Sequence, residues 1–170
     1  MEHAEQHRQF EEWIERHGAI IFRVVHGFAE INERDDLLQE ILLSIWKAIP
    51  GYRGEAKSIT FVYRICHNAA LLWRRSQFNY RRRVERFQWL REPDEASFGG
   101  TDHQEEQLKS LYAAIRQLLP PDRSLILLSL DGLSYREMAE LHGISESNVG
   151  ARLHRIKRQL TQILRNHDHE

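Results

Sequence analysis

Three residues between Tyr135 and Leu153 constrain this chain more tightly than anything else in it: Ala139, Gly143 and Val149 stand at relative positions 5, 9 and 15 of a helix-turn-helix. A small residue is required where the second helix crosses the first, the turn needs a positive φ that glycine adopts without a Cβ clash, and the valine anchors the second helix. Leu133, Met138, Leu141 and Ile144 supply the remaining apolar contacts, and Ser145 is a good N-cap for the second helix. With Val149, Leu153, Ile156, Leu160 and Ile163 or Leu164 turned inward, the opposite face presents Ser147, Ala151, His154, Arg155 and Arg158, with Asn148 and Arg152 at its margins. A helix placed in this way meets base edges with its first turns and phosphates with its later bases. A helical hairpin that binds protein is the other reading of the same pattern.

The rest of the chain is compatible with helices throughout. Only five Val stand against 34 Leu and Ile, and Pro occurs at positions 50, 93, 120 and 121 alone. Strand formers are scarce and long stretches lack helix breakers, so the expected fold class is all-α. The single cysteine, Cys66, rules out an intramolecular disulfide and a multi-cysteine zinc site. No apolar run is long enough for a bilayer span or a signal peptide, which predicts a soluble, cytoplasmic protein without membrane insertion. Of the ten His, His3, His7, His167 and His169 lie near the ends, where fraying is expected, and no phosphate-cradling glycine loop or nucleophile motif is present. We expect no catalytic residue, no metal and no cofactor.

A formal charge of -1 hides strong segregation. Eight Arg and one acid fall between Arg64 and Arg91, six acids and no base between Glu92 and Glu106, and five bases and no acid between Arg152 and Arg165. The acidic stretch also holds Pro93, Ser97, Gly99, Gly100 and Thr101, which is linker composition. The predicted organisation is two small helical domains, residues 1–91 and 106–170, joined by an acidic flexible linker over 92–105.

In the N-terminal half, Leu37, Leu38, Ile41, Leu42, Ile45, Trp46 and Ile49 recur at three- and four-residue steps, the period of a helix that buries one face. Its other face carries Asp36, Glu40, Leu43 and Lys47, a pattern suited to a protein partner, although a lone surface Leu is common enough to mean nothing. After Pro50 and a short loop a second helix starts near Ser58, with Val62, Ile65, Ala69 and Leu72 as its expected buried stripe. The opposite side gathers Tyr63, Arg64, His67 and Arg74, with Phe61, Asn68 and Trp73 nearby, the mixture of cations, amides and rings found in single-stranded nucleic acid binders. Phe61 and Trp73 serve a core equally well.

Taken together, Asp35-Asp36-Leu37-Leu38-Gln39-Glu40, Tyr52-Arg53-Gly54-Glu55, Val62-Tyr63-Arg64-Ile65-Cys66-His67-Asn68 and Leu130-Asp131-Gly132-Leu133-Ser134-Tyr135-Arg136-Glu137-Met138-Ala139 give the chain its resemblance to a bacterial RNA polymerase sigma factor of the extracytoplasmic-function group. The resemblance implies that the helix bearing Asp36, Gln39, Glu40, Leu43 and Lys47 docks on core RNA polymerase. It implies that the loop from Arg53 through Lys57 to Ser58, with Tyr63, Arg64, His67, Asn68 and Arg74, captures the unpaired strand of the minus-10 element. The helix after Ser145 would then read the minus-35 element of promoter DNA in duplex form, through Ser147, Asn148, Ala151, Arg152, His154, Arg155 and Arg158. An anti-sigma factor is a further implied partner. The chain departs from the family pattern at Gly150, where many members carry Arg, and at Phe61, where a Trp is usual. The alternative is an autonomous helix-turn-helix transcription regulator, which would bind duplex DNA without polymerase.

Overall fold

The computed structural model describes residues 3–55, 57–84 and 103–167, with the side chains of 79–84, 103–105 and 167 left aside. Among these residues there are helices and turns and no strand. The helices are α1 (His3–Phe28), α2 (Arg34–Ala48), α3 (Ser58–Val84), α4 (His103–Gln117), α5 (Pro120–Leu130), α6 (Tyr135–His142) and α7 (Glu146–His167). None is long and apolar enough to cross a membrane. Most of the expected acidic linker lies outside the described residues; its last three positions, 103–105, form the first turn of α4 instead.

The N-terminal unit is built on α1, which no motif marked. Trp13, His17, Ile20, Ile21, Val24, Val25 and Phe28 follow one another at helical spacing along its buried side. They meet Leu37, Ile41, Ile45 and Ile49, all fully buried, from α2 and the tight turn after it. Pro50 lies in that turn, which ends in Gly51, where the sequence closes the helix. From α3 come Val62, Cys66, Ala69, Ala70 and Trp73. The expected α3 stripe is therefore half right: Val62 and Ala69 are buried, Ile65 is partly covered, and Leu72 is 66% exposed. Trp73 belongs to the core, and Phe61 is packed against Trp13 and Tyr52, with ring centroids 5.7 and 4.9 Å away.

In the C-terminal unit α6 and α7 pack on α5 and α4 packs on α7, and Leu125, Ile126, Leu127 and Leu128 of α5 are a continuous buried run. A short, all-round apolar helix of this kind sits in the middle of a core. Leu127 also reaches across to α1. A Cβ on Gly27 would stand 2.7 Å from Leu127 Cδ1, so the two helices touch where α1 lacks a side chain. The two cores are thus continuous across a seam formed by α1 and α3 on one side and α4, α5 and α6 on the other.

Candidate nucleic-acid interface

The helix-turn-helix is assembled from local signals. Ser134 caps α6 by accepting from the Glu137 N–H, and the Glu137 carboxylate accepts from the Ser134 N–H and hydroxyl at 3.0 and 2.8 Å. Those two donors, together with Lys57, hold the Glu137 carboxyl at about 2, well below the usual range. The helix ends at Gly143, whose φ of 65° lets the Ile144 N–H return to the Ala139 carbonyl at 3.1 Å. Ser145 then accepts from the Asn148 N–H at 3.2 Å to start α7.

On α7, Val149, Leu153, Ile156 and Leu160 are buried, and Ser147, Asn148, Ala151, His154, Arg155 and Arg158 are exposed on the outer side. Arg152 departs from the expected set. Its guanidinium donates to Asp122 Oδ1 from Nη2 at 2.6 Å and from Nε at 3.2 Å, clamping α7 to the first turn of α5. Gly150 has a local reason: a Cβ there would stand 3.2 Å from Tyr135 Cε2, so the half-exposed Tyr135 ring lies over this position.

On α2, Asp36, Gln39, Glu40, Leu43 and Lys47 are all exposed along one side, Leu43 at 50%. The side chains expected to capture a single strand divide into three groups. Arg53 and Arg64 are exposed. Asn68 and Arg74 line a groove of about 740 Å³ together with Leu72, Phe78, Pro120 and Pro121, an apolar floor edged with polar groups between α3 and α5. The third group makes contacts within the protein. Ser58 shares a hydrogen bond with the buried His17 at 3.1 Å, and Lys57 pairs with Glu137 at 3.1 Å across the seam.

Tyr63 is the clearest correction. It is 1% exposed and donates its hydroxyl to the Ser124 carbonyl of α5 at 2.9 Å, so its ring faces protein, not a base. Burial pushes the phenol up, away from any ionisation. His67, one turn on, is half-buried between Tyr63, Phe28 and His142, with ring centroids at 6.3, 5.9 and 5.7 Å. The periodicity of α3 puts both residues on its open side, because the period of one helix cannot show that a second surface covers it.

Other seam residues carried no motif signal. Arg116 donates to the His26 carbonyl at the end of α1 at 3.1 Å and pairs with Glu30 at 3.4 Å. Arg23 pairs with Asp131, whose side chain is 1% exposed. Arg123, also buried, donates to the carbonyls of Arg116 and Leu118 and lies over the Phe28 ring at 5.7 Å. Desolvation lowers its guanidinium to about 10, which leaves it charged at neutral pH. Such contacts join residues as much as 108 positions apart, and only the charge and aromatic content could have marked them as candidates. Burial raises the Cys66 thiol to about 12, so it is a small core hydrophobe. Among the described residues no group of His, Cys, Asp or Glu is arranged to hold a metal ion.

The chain matches the family profile for Sigma-70 region 2 over residues 13–78 and that for Sigma-70, region 4 over residues 108–160, together more than half its length. It is 27% identical over 157 residues to the RNA polymerase sigma factor SigZ of Bacillus subtilis, covering 89% of this chain and 84% of the relative. It is 24% identical to the ECF RNA polymerase sigma factor SigE of Mycolicibacterium smegmatis, covering 95% of this chain and 63% of that relative's length. Among solved structures, the sigma factor RpoE in complex with the anti-sigma factor NepR from Bartonella quintana superimposes with a TM-score of 0.68 at 18% identity, over 91% of this chain and 95% of that one. That last likeness is one of fold. With both regions matched in the order in which α1 to α3 and α4 to α7 follow one another, the chain belongs to the sigma-70 family, as a promoter-directing RNA polymerase sigma factor of the extracytoplasmic-function group.

Proposed function

We propose a division of labour among the exposed faces. The outer side of α2, with Asp36, Gln39, Glu40, Leu43 and Lys47, engages core RNA polymerase. The loop carrying Arg53, Lys57 and Ser58, with Tyr63, Arg64, His67, Asn68 and Arg74 on α3, takes the unpaired minus-10 strand once the seam has opened. The outer face of α7 reads the minus-35 duplex through Ser147, Asn148, Ala151, His154, Arg155 and Arg158, and Arg152 serves it from behind by fixing α7 to Asp122. The protein has no reaction of its own, because the polymerase makes the phosphodiester bonds, and it works in the cytoplasm where that enzyme and the promoter are. An anti-sigma factor, the kind of partner that accompanies the RpoE structure, restrains it.

The observation that carries this reading is the split of α7 into a fully buried stripe and an exposed basic one behind a well-capped turn. Arg to guanine and Asn to adenine are the contacts that major-groove geometry favours, at about 1–3 kcal/mol of discrimination each. In transcription with purified core polymerase on a promoter library, Arg155→Ala should weaken promoter selection about tenfold or more and leave core affinity unchanged. Asp36→Arg combined with Glu40→Arg should do the opposite. Equal loss of both activities in both variants, with folding intact, would refute the division; duplex binding by the chain alone, with no polymerase-dependent transcripts, would favour an autonomous regulator.

A further inference from the structure

His67 and His142 face one another across the seam, one from each unit, with ring centroids 5.7 Å apart. Ser124, fully buried on α5, ties both sides together: its carbonyl accepts from Tyr63 on α3, and its hydroxyl shares a hydrogen bond with His142 Nε2 at 3.2 Å. His67 Nδ1 is shut off from solvent without a hydrogen-bond partner. We propose that this histidine pair is an acid-sensitive latch: neutral rings let the seam close over the strand-capturing side of α3, and protonation at mildly acidic pH drives the two units apart.

The surroundings offer little to a new positive charge. Facing His67 are the neutral Tyr63 phenol, Phe28 and His142; facing His142 are Ser124, Arg152 and Asp122. Asp122 is already paired with Arg152, and Asp131, the acid near Tyr63, with Arg23. Arg123 adds a further cation beside Phe28. Burial accordingly lowers His67 to about 4, and it lowers His142 as well. A base whose pKa is depressed in the closed form and ordinary in the open form favours closure above the open value of about 6.5. As pH falls from there towards about 4, the closed-to-open ratio drops about tenfold per pH unit for His67 alone. His142 adds to the drop in the same direction.

The consequence for minus-10 capture rests on the function proposed above, whereas the latch does not, because shape can be read without polymerase or DNA. The test is small-angle scattering of the full chain between about pH 7.5 and pH 5, with far-UV dichroism to confirm that helix content is retained, alongside NMR titration of the histidine ring protons. The expected result is a radius of gyration that grows as pH falls, with a closed-to-open ratio at least about tenfold lower at pH 5.5 than at 7.5, and a His67 midpoint well below 6.5 in the compact protein. His67→Gln combined with His142→Gln should abolish the pH dependence. Should that pair disturb closure by itself, the ring titration in the unmodified chain still decides. A His67 that titrates in the ordinary range in the compact protein, no expansion by about pH 5, or the same pH-dependent expansion in the double variant would each overturn the latch.

Discussion

Two glycines in the helix-turn-helix do opposite things, and substitution separates them. Gly143 occupies left-handed space at φ 65°, where an L side chain costs about 1–2 kcal/mol. Gly143→Ala should therefore lower the thermal midpoint by roughly 2–8 °C. Gly150 sits inside α7, where glycine is about 1 kcal/mol worse than alanine. Among the described residues the only neighbour its Cβ would press is the rim of the Tyr135 ring, itself 47% exposed and free to swing outward by a few tenths of an ångström. Gly150→Ala should then raise the midpoint by about 2–4 °C; a fall would show that the ring is held in place by something more than this contact. The positions of Ala139, Gly143 and Val149 were legible in the sequence because their steric demands are local. That Tyr135 covers Gly150 was not, because a ring stacked from one helix onto another has no signature in spacing.

At the scale of the element, α2 was readable and α3 only partly so. The period of α2 marks a face that α1 and α3 bury and a face that nothing among the described residues covers, so inward and outward follow from apolarity alone. α3 is covered on more than one side. Tyr63, with its polar tip, reads as an outward residue in a helical projection, yet its hydroxyl finds a carbonyl 61 positions away and the ring is buried with it. The basic character of Arg152 likewise predicts a phosphate partner, whereas its guanidinium pairs with Asp122 on α5. The seam that covers Tyr63 has a narrow point where α1 and α5 touch at Gly27. Leu127 could rotate away from a single methyl group there, but a branched side chain has nowhere to go, and overpacking of this kind costs about 1–3 kcal/mol. Gly27→Leu is thus expected to separate the two units at neutral pH, raising the radius of gyration while helix content stays constant. A compact Gly27→Leu protein with an unchanged radius would mean that the seam is held mainly by its polar pairs.

For the molecule as a whole, the closed arrangement treats the two DNA elements unequally. The outer face of α7, proposed to read the minus-35 duplex, is open to solvent, while Tyr63 and His67 on α3, proposed to take the unpaired strand, are covered by α5 and α6. A protein in this state can meet duplex before it can hold an unpaired strand, and any partner that needs the open form sees its affinity reduced by the fraction that is open. Lys57 and Glu137 report on that equilibrium from its edge. Their charged ends lie 3.1 Å apart, one on the loop that precedes α3 and one in the cap of α6, and the Lys57 side chain is largely exposed. An exposed pair of this kind contributes little to stability, so it can be used as a probe with small disturbance of what it measures. A zero-length carbodiimide reagent should join Lys57 Nζ to the Glu137 carboxyl as an amide in the free protein, giving a linked peptide detectable by mass spectrometry. Addition of core RNA polymerase should suppress that peptide if binding separates the units, and the protein already linked should lose strand capture at the minus-10 element while keeping duplex binding through α7. Undiminished linkage in the polymerase complex, with promoter opening intact, would mean that the sigma factor works without parting the seam.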